Sequence, residues 1–168
     1  MSGAVHPSDV PDTAGTWYVR KATVDDAALL ARLLHDFNTE FDTPSPGPAV
    51  LEPRLKTLLA TPTTFALLAG SPTVAFALVT LRSNVWYDGP VALLDELYVV
   101  PALRDRGIGS AIMSELRSIA ESSGVDLIEI NVDEADVDTQ RFYVRHGYSA
   151  VDPDTGERAF YFSRELRD

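Results

Sequence analysis

The sequence predicts a single-domain α/β fold in which one mixed sheet is flanked by helices, and three observations predict it. Short apolar runs separated by turn-forming residues crowd the stretch from Thr64 to Val100, and amphipathic segments with three- and four-residue spacing lie before and after them. The elements follow one another as β-α-α-β-β-β-α-β-α-β-β, a mixed layout built on one sheet. A chain of 168 residues, 45% hydrophobic and 23% charged, is long enough to bury one sizeable core.

Residues 1–16, MSGAVHPSDVPDTAGT, are rich in Pro, Gly, Ser, Asp and Thr without an apolar period, and read as a flexible N-terminal tail ahead of a domain at 17–168. WYVRKA, residues 17–22, alternates as a strand does. TVDDAALLARLLHDF announces a helix: Thr23 is placed to cap it with Asp26 three residues on, and Ala27, Leu30, Leu34 and Phe37 share one face. DTPSPGP stops that helix, and LEPRLKTLLA forms a second, short one. FALLA, TVAFALVTL and VALLDELYVV are three strands parted by GSP and SNVWYDGP. GIGSAIMSELRSIAESSG returns to helical spacing through Ile108, Ile112, Leu116 and Ile119, with Gly124 just past its end. DLIEINV is a further strand and VDTQRFYVRHG a helix closed by Gly147. YSAVD, residues 148–152, and AFYFSREL, residues 159–166, read as two terminal strands.

With 25 Asp and Glu against 14 Lys and Arg, the formal charge is −11. That balance excludes the broad basic footprint of a nucleic-acid binder and sets the protein against anionic lipid, so neither nucleic acid nor membrane is an expected partner. Cationic partners are favoured. The absence of cysteine excludes disulfides, thiolate metal sites and a cysteine nucleophile. His6, His35 and His146 have no ligand spacing, and no metal is expected. No basic segment precedes an apolar stretch at the start of the chain and no apolar run is long enough to span a bilayer, which makes the cytoplasm the expected location.

The most informative stretch is Val91–Met113, VALLDELYVVPALRDRGIGSAIM. A strand ends at Pro101, and Arg104, Asp105, Arg106, Gly107, Ile108 and Gly109 then turn directly into an amphipathic helix. Such a turn suits an anion: glycines let the backbone approach a ligand, first-turn amides have no intrahelical acceptor, and arginines add charge that pairs with phosphate. No Gly-Lys-Ser/Thr follows, so it is not a Walker A loop, and Ile112 breaks the full G-x-G-x-x-G dinucleotide pattern. Taken alone, the glycines also fit a plain turn that needs positive φ.

Read as R-x-x-G-x-G after L-Y-V-x-P, the segment resembles the acetyl-coenzyme A binding motif of the GCN5-related N-acetyltransferase (GNAT) family. A second pattern of that family, an aromatic pair followed by Gly and an aromatic, recurs as Phe142, Tyr143, Gly147 and Tyr148, and the element order matches over about residues 17–165. Asp136 and Thr139 stand where the family often has Asn and Ala. The resemblance implies a mostly antiparallel sheet with a central, splayed parallel strand pair, VALLDELYVV and DLIEINV. It also implies acetyl-coenzyme A as co-substrate. Leu97, Tyr98 and Val99 would meet the pantetheine arm, chiefly through the backbone of Leu97 and Val99. Amides from Arg104 through Asp105, Arg106, Gly107, Ile108 and Gly109 to Ser110 would hold the pyrophosphate. The Val99 amide would serve the oxyanion.

Acetyl transfer from a thioester to an amine needs an unprotonated nucleophile, a polarised carbonyl and a proton for the departing thiolate. An alkyl amine with a pKa near that of lysine is unprotonated in only about one molecule in two thousand at neutral pH, so a base is useful. Tyr143 is the general acid that the resemblance implies; without it, a core tyrosine with a satisfied hydroxyl is the simpler reading. Asp95 and Glu96 interrupt an apolar strand whose neighbours suggest burial on both faces, which is costly unless they are paired or open onto a polar cavity. Regular alternation would send them to opposite faces, and a bulge would present both. Glu96 ranks first as base and Asp95 second. Glu129 and Asp133 are further candidates, and the acids Asp133, Glu134, Asp136 and Asp138 either complement a helix dipole or draw in a cationic acceptor.

By the same resemblance, the acceptor side is formed by HDFNTEFDTPSPG and SNVWYDGP, with Phe37, Phe41, Trp86 and Tyr87 as candidate walls and Glu40 and Asp42 as candidate amine partners. The function implied is direct transfer of an acetyl group to a primary amine of a cationic small molecule. A noncatalytic acyl-coenzyme A binding module is the competing reading, and it would have no need of Tyr143 or a base. A homodimer is expected by analogy, with AFYFS as an apolar edge.

Overall fold

The apolar runs after Thr64 fold as an antiparallel meander of β2 (Thr64–Ala69), β3 (Ala75–Arg82) and β4 (Val91–Val99). Short β1 (Val19–Lys21) adds antiparallel to β2, and β5 (Leu127–Ile130) adds parallel to β4, giving the sheet order β1-β2-β3-β4-β5. The computed structural model describes residues 17–166, so the tail expected at 1–16 lies outside the described residues. The chain divides into two compact units, Met1–Asn131 and Val132–Asp168.

Both faces of the meander are covered, which is why β2 reads as an unbroken apolar run and is buried along its whole length. One face carries α1 (Ala27–Glu40) and α2 (Pro48–Leu59): Leu30, Leu34, Leu51 and Leu55 pack with Leu68, Phe76, Leu78 and Tyr98. α3 (Ile108–Ser122) packs against β2, β3 and β4 through Ile108, Ile112, Met113 and Leu116. The expected helix starts and stops have physical counterparts. Asp26 accepts from the Thr23 amide and takes a two-pronged contact from Arg20, at 2.8 and 2.7 Å, ahead of α1. Arg20 holds the Asp26 carboxyl well below the usual carboxylate range. α3 ends with Gly124 at φ 69°, where the Gly124 and Val125 amides bond back to Glu121 and Ala120. The second helix starts earlier than its apolar run, because Pro48 occupies its first turn.

The second unit holds α4 (Val137–Arg145). Asp136 caps it by accepting from the Thr139 amide at 3.1 Å, and Gly147 at φ 86° closes it, with the Gly147 and Tyr148 amides bonded to Val144 and Tyr143. Gln140 Nε2 donates to the carbonyls of Asp133 and Glu134. Of the acids before α4, Asp136 thus serves its N-terminus with its side chain, and Asp133 and Glu134 meet Gln140 through their backbone.

Residues 148–152 and 159–166 do not form the two strands expected of them. They carry no ladder, and Phe160, Tyr161 and Phe162 are exposed. Strand propensity measures fit to a partnered, half-buried surface, and no described strand pairs with AFYFSREL to supply one. In the structure, therefore, the parallel β4–β5 pair stands at the end of the sheet.

Candidate active site

The two carboxylates in β4 sit at a fault in the sheet. Leu78 pairs with Glu96 and Val79 with Leu94, so Asp95 is the extra residue of a bulge. The bulge breaks the alternation that would have parted the two side chains. Glu96 opposes Leu78, whose side chain belongs to the α1 and α2 face. Thr80, two residues along β3 and on the same face, donates its hydroxyl to Asp95 Oδ2 at 2.5 Å. Both acids therefore occupy one face. Arg82 and Glu129 bridge β3 and β5 there at 2.6 Å, so the further candidate Glu129 is ion-paired.

The expected burial of this strand on both faces does not extend to its middle: Asp95 is exposed and Glu96 half-buried. Burial pushes the Glu96 carboxyl above its ordinary range, and the adjacent Asp95 charge pushes it further.

Beyond the bulge, β4 has one open edge. Its pairing with β5 ends at Leu94 and Ile130, while β4 runs on to Val99. The Val100 amide donates to the Val74 carbonyl, so the backbones of Tyr98 and Glu96 also turn to β3, and those of Leu97 and Val99 turn to the open side. Tyr98 does not share that edge. Its ring is buried under α1, stacked on Phe37 with centroids 5.1 Å apart, and burial raises its phenol, with Glu40 and Asp36 adding to the shift.

The turn after β4 begins with Pro101–Leu103 as a single 3₁₀ turn, then places Asp105 at φ 60° and Gly107 at φ 80° before α3 starts. A Cβ at Gly107 would meet no atom within 4 Å, so the turn opens onto space. Arg106 is exposed and makes no ion pair with a described residue. Arg104 is engaged differently from its expected role on pyrophosphate. Its Nη1 and Nη2 donate to Glu40 at 2.6 and 2.8 Å, and its Nε donates to the Val99 carbonyl at 3.0 Å. Arg106 is thus the arginine available to an anion. Glu40, a candidate amine partner, is the acceptor in that pair. Among the aromatic walls, Phe37 packs against the core, whereas Phe41, Trp86 and Tyr87 are exposed. Asn84 shapes the loop of the last two by accepting from both of their amides at 2.8 Å.

In the second unit, Tyr143 is buried on α4, its ring edge-on to Phe142 and Tyr148. The aromatic spacing read from the sequence is therefore a helix face closed by the Gly147 turn.

A protein-family model for the acetyltransferase (GNAT) family matches residues 30–148, which include the bulge, the open edge, the glycine turn and Tyr143. The chain belongs to the GNAT acetyltransferase family. Its class of chemistry is acyl transfer. The aminoglycoside N(6′)-acetyltransferase type 1 of Serratia marcescens is 26% identical over 129 residues, covering 73% of this chain and 85% of the relative. A crystal structure of a protein from Arthrobacter sp. FB24, described as an acetyltransferase, superposes with a TM-score of 0.85 at 46% identity, covering 93% of this chain and all of that one, 100%. The structure of AAC(6′)-Iy with a bisubstrate analogue, CoA-S-monomethyl-acetylneamine, shares the fold at a TM-score of 0.72 and 14% identity, covering 90% of this chain and 100% of that one. Among the described residues, no helix is long and apolar enough to cross a membrane.

Within this GNAT scaffold, three contacts carried no sequence signal. The pairing of Glu40 with Arg104 spans 64 residues, and the Trp17 indole bonds the Arg106 carbonyl across 89. Neither has a period or motif that would have disclosed it. Thr80 as the partner of Asp95 was equally silent, since it depends on ladder register.

Proposed function

We propose that this GNAT protein transfers an acetyl group from acetyl-coenzyme A directly to a primary amine of a cationic small molecule. The observation that carries this reading is the β4 bulge, which sets Asp95 and Glu96 on one face of the strand whose far end has the open backbone edge. The open edge, formed by Leu97 and the Val99 amide, fits an added strand such as the pantetheine arm, while the Val99 carbonyl accepts from Arg104. The glycine turn with Arg106 fits a pyrophosphate. In the transfer, Glu96 takes a proton from the acceptor ammonium, the amine nitrogen bonds to the thioester carbon, and the carbon–sulfur bond breaks. Tyr143 gives its phenolic proton to the departing sulfur; the acylated nitrogen then sheds its second proton, which restores the phenol through solvent, and Glu96 releases the first to solvent. Asp95 lies beside Glu96, and two carboxyl groups on one face make a favourable neighbour for a cationic acceptor. The Serratia marcescens relative named as an aminoglycoside acetyltransferase points the same way, to an acceptor with several ammonium groups.

The deciding experiment is a thiol-release assay with acetyl-coenzyme A against a panel of polyamines, aminoglycosides, amino acids and peptide N-termini. Turnover that depends on a polycationic amine is the expected result. Coenzyme A binding without thiol release on any amine would overturn the enzyme reading in favour of a binding module.

Glu96 supplies a second test with two readouts. Glu96→Gln is expected to lower kcat by about 10²- to 10⁴-fold and to abolish an acid limb of kcat/KM whose midpoint in the parent lies above the usual glutamate range. Stability should move in the opposite direction. Because the folded carboxyl binds its proton more tightly than the unfolded one, its contribution is full below the unfolded pKa and is lost as pH rises through the folded pKa. The variant should therefore melt higher than the parent at about pH 8 and level with it near pH 4. Equal melting of the two proteins at both pH values would contradict the shift.

A further inference from the structure

The turn that opens α3 is held by a side chain from the other end of the sheet. Trp17 stands just before β1, and its indole Nε1 donates to the Arg106 carbonyl at 2.8 Å. That carbonyl and the Gly107 amide belong to one rigid peptide plane. Fixing the oxygen therefore fixes the direction of the Gly107 N–H, which points away from it across the peptide plane, in a turn where a Cβ at Gly107 would meet nothing within 4 Å. The turn needs such support. Asp105 at φ 60° occupies the left-handed region as a non-glycine residue, a conformation that persists only where the surroundings over-determine it. Its other end is held independently by the Arg104 contacts to Glu40 and the Val99 carbonyl.

We propose that Trp17 is a positioning residue for the pyrophosphate of coenzyme A. It acts through the Arg106–Gly107 peptide and does not itself touch the ligand. The indole N–H is the only part of the side chain this role requires. The inference rests on the acetyl-coenzyme A reading above, and it singles out the phosphate end of the ligand from the thioester end.

Trp17→Phe keeps an aromatic ring and removes the donor. Calorimetry of the parent and the variant with coenzyme A should show affinity weakened by about 3- to 10-fold, the worth of one net hydrogen bond. In the amine assay, KM for acetyl-coenzyme A should rise by the same factor while kcat at saturation stays within about twofold. Acetyl-pantetheine, which lacks the pyrophosphate, should show the same KM with both proteins. A merely structural tryptophan would move both donors together, and that outcome, or unaltered coenzyme A affinity, would overturn the proposal. If the parent itself fails to bind coenzyme A, the fault lies with the proposed function and not with Trp17 alone.

Discussion

Gly107→Val is expected to abolish coenzyme A binding, with no heat detectable at ligand concentrations that saturate the parent. Gly107 sits at φ 80°, a region that a β-branched residue enters only under strain. The added side chain would clash with no neighbouring protein atom at its Cβ, since none lies within 4 Å. In the proposed function, the space it would occupy is needed by the pyrophosphate. Two charge-assisted hydrogen bonds to phosphate, each worth about 1.5–3 kcal/mol, would be lost, which amounts to at least about 100-fold in affinity. Gly107→Ala separates the two effects, because it brings the same left-handed strain with far less bulk and should retain measurable binding. Affinity equal to the parent's in the valine variant would remove this turn from the cofactor site.

Much of the scaffold was readable in the sequence because it is encoded locally. β2 to β4 are apolar runs bounded by turns, and their burial on two faces is what such runs report. Gly124 and Gly147 mark helix ends because each must adopt a left-handed backbone there. The anomaly of Asp95 and Glu96 in an apolar strand was equally plain. Their arrangement was not, because the bulge at Asp95 is a property of how β4 registers against β3, and register is set by the whole ladder. The same distinction explains the arginines. R-x-x-G-x-G identifies the turn but does not say which arginine faces outward, and it takes Glu40, at the end of α1, to engage Arg104 and leave Arg106 available. AFYFSREL shows the converse error, in which local propensity announces a strand at 159–166 without a partner to pair with.

Tyr143→Phe tests the proton donor. The substitution keeps the aromatic ring that lies edge-on to Phe142 and Tyr148 and removes one oxygen, so α4 and its Gly147 closure should persist. The thiolate of coenzyme A leaves with an aqueous pKa near that of cysteine, about 8.5, so at neutral pH its departure gains from a proton delivered in the transition state. Loss of that donor should lower kcat by roughly 10- to 10⁴-fold. Affinity for coenzyme A should change little, because the proton matters only once the carbon–sulfur bond is breaking; a fall in kcat with unaltered binding is the signature of an interaction made in the transition state. The leaving group gives a sharper criterion. An acetyl thioester of a more acidic thiol needs less protonation to depart, so the defect of the variant should shrink as the thiol pKa falls, while the parent is far less sensitive to it. A defect of constant size across a series of thiols would mean that Tyr143 positions the substrate without donating to sulfur. Equal kcat in variant and parent would remove it from the chemistry altogether.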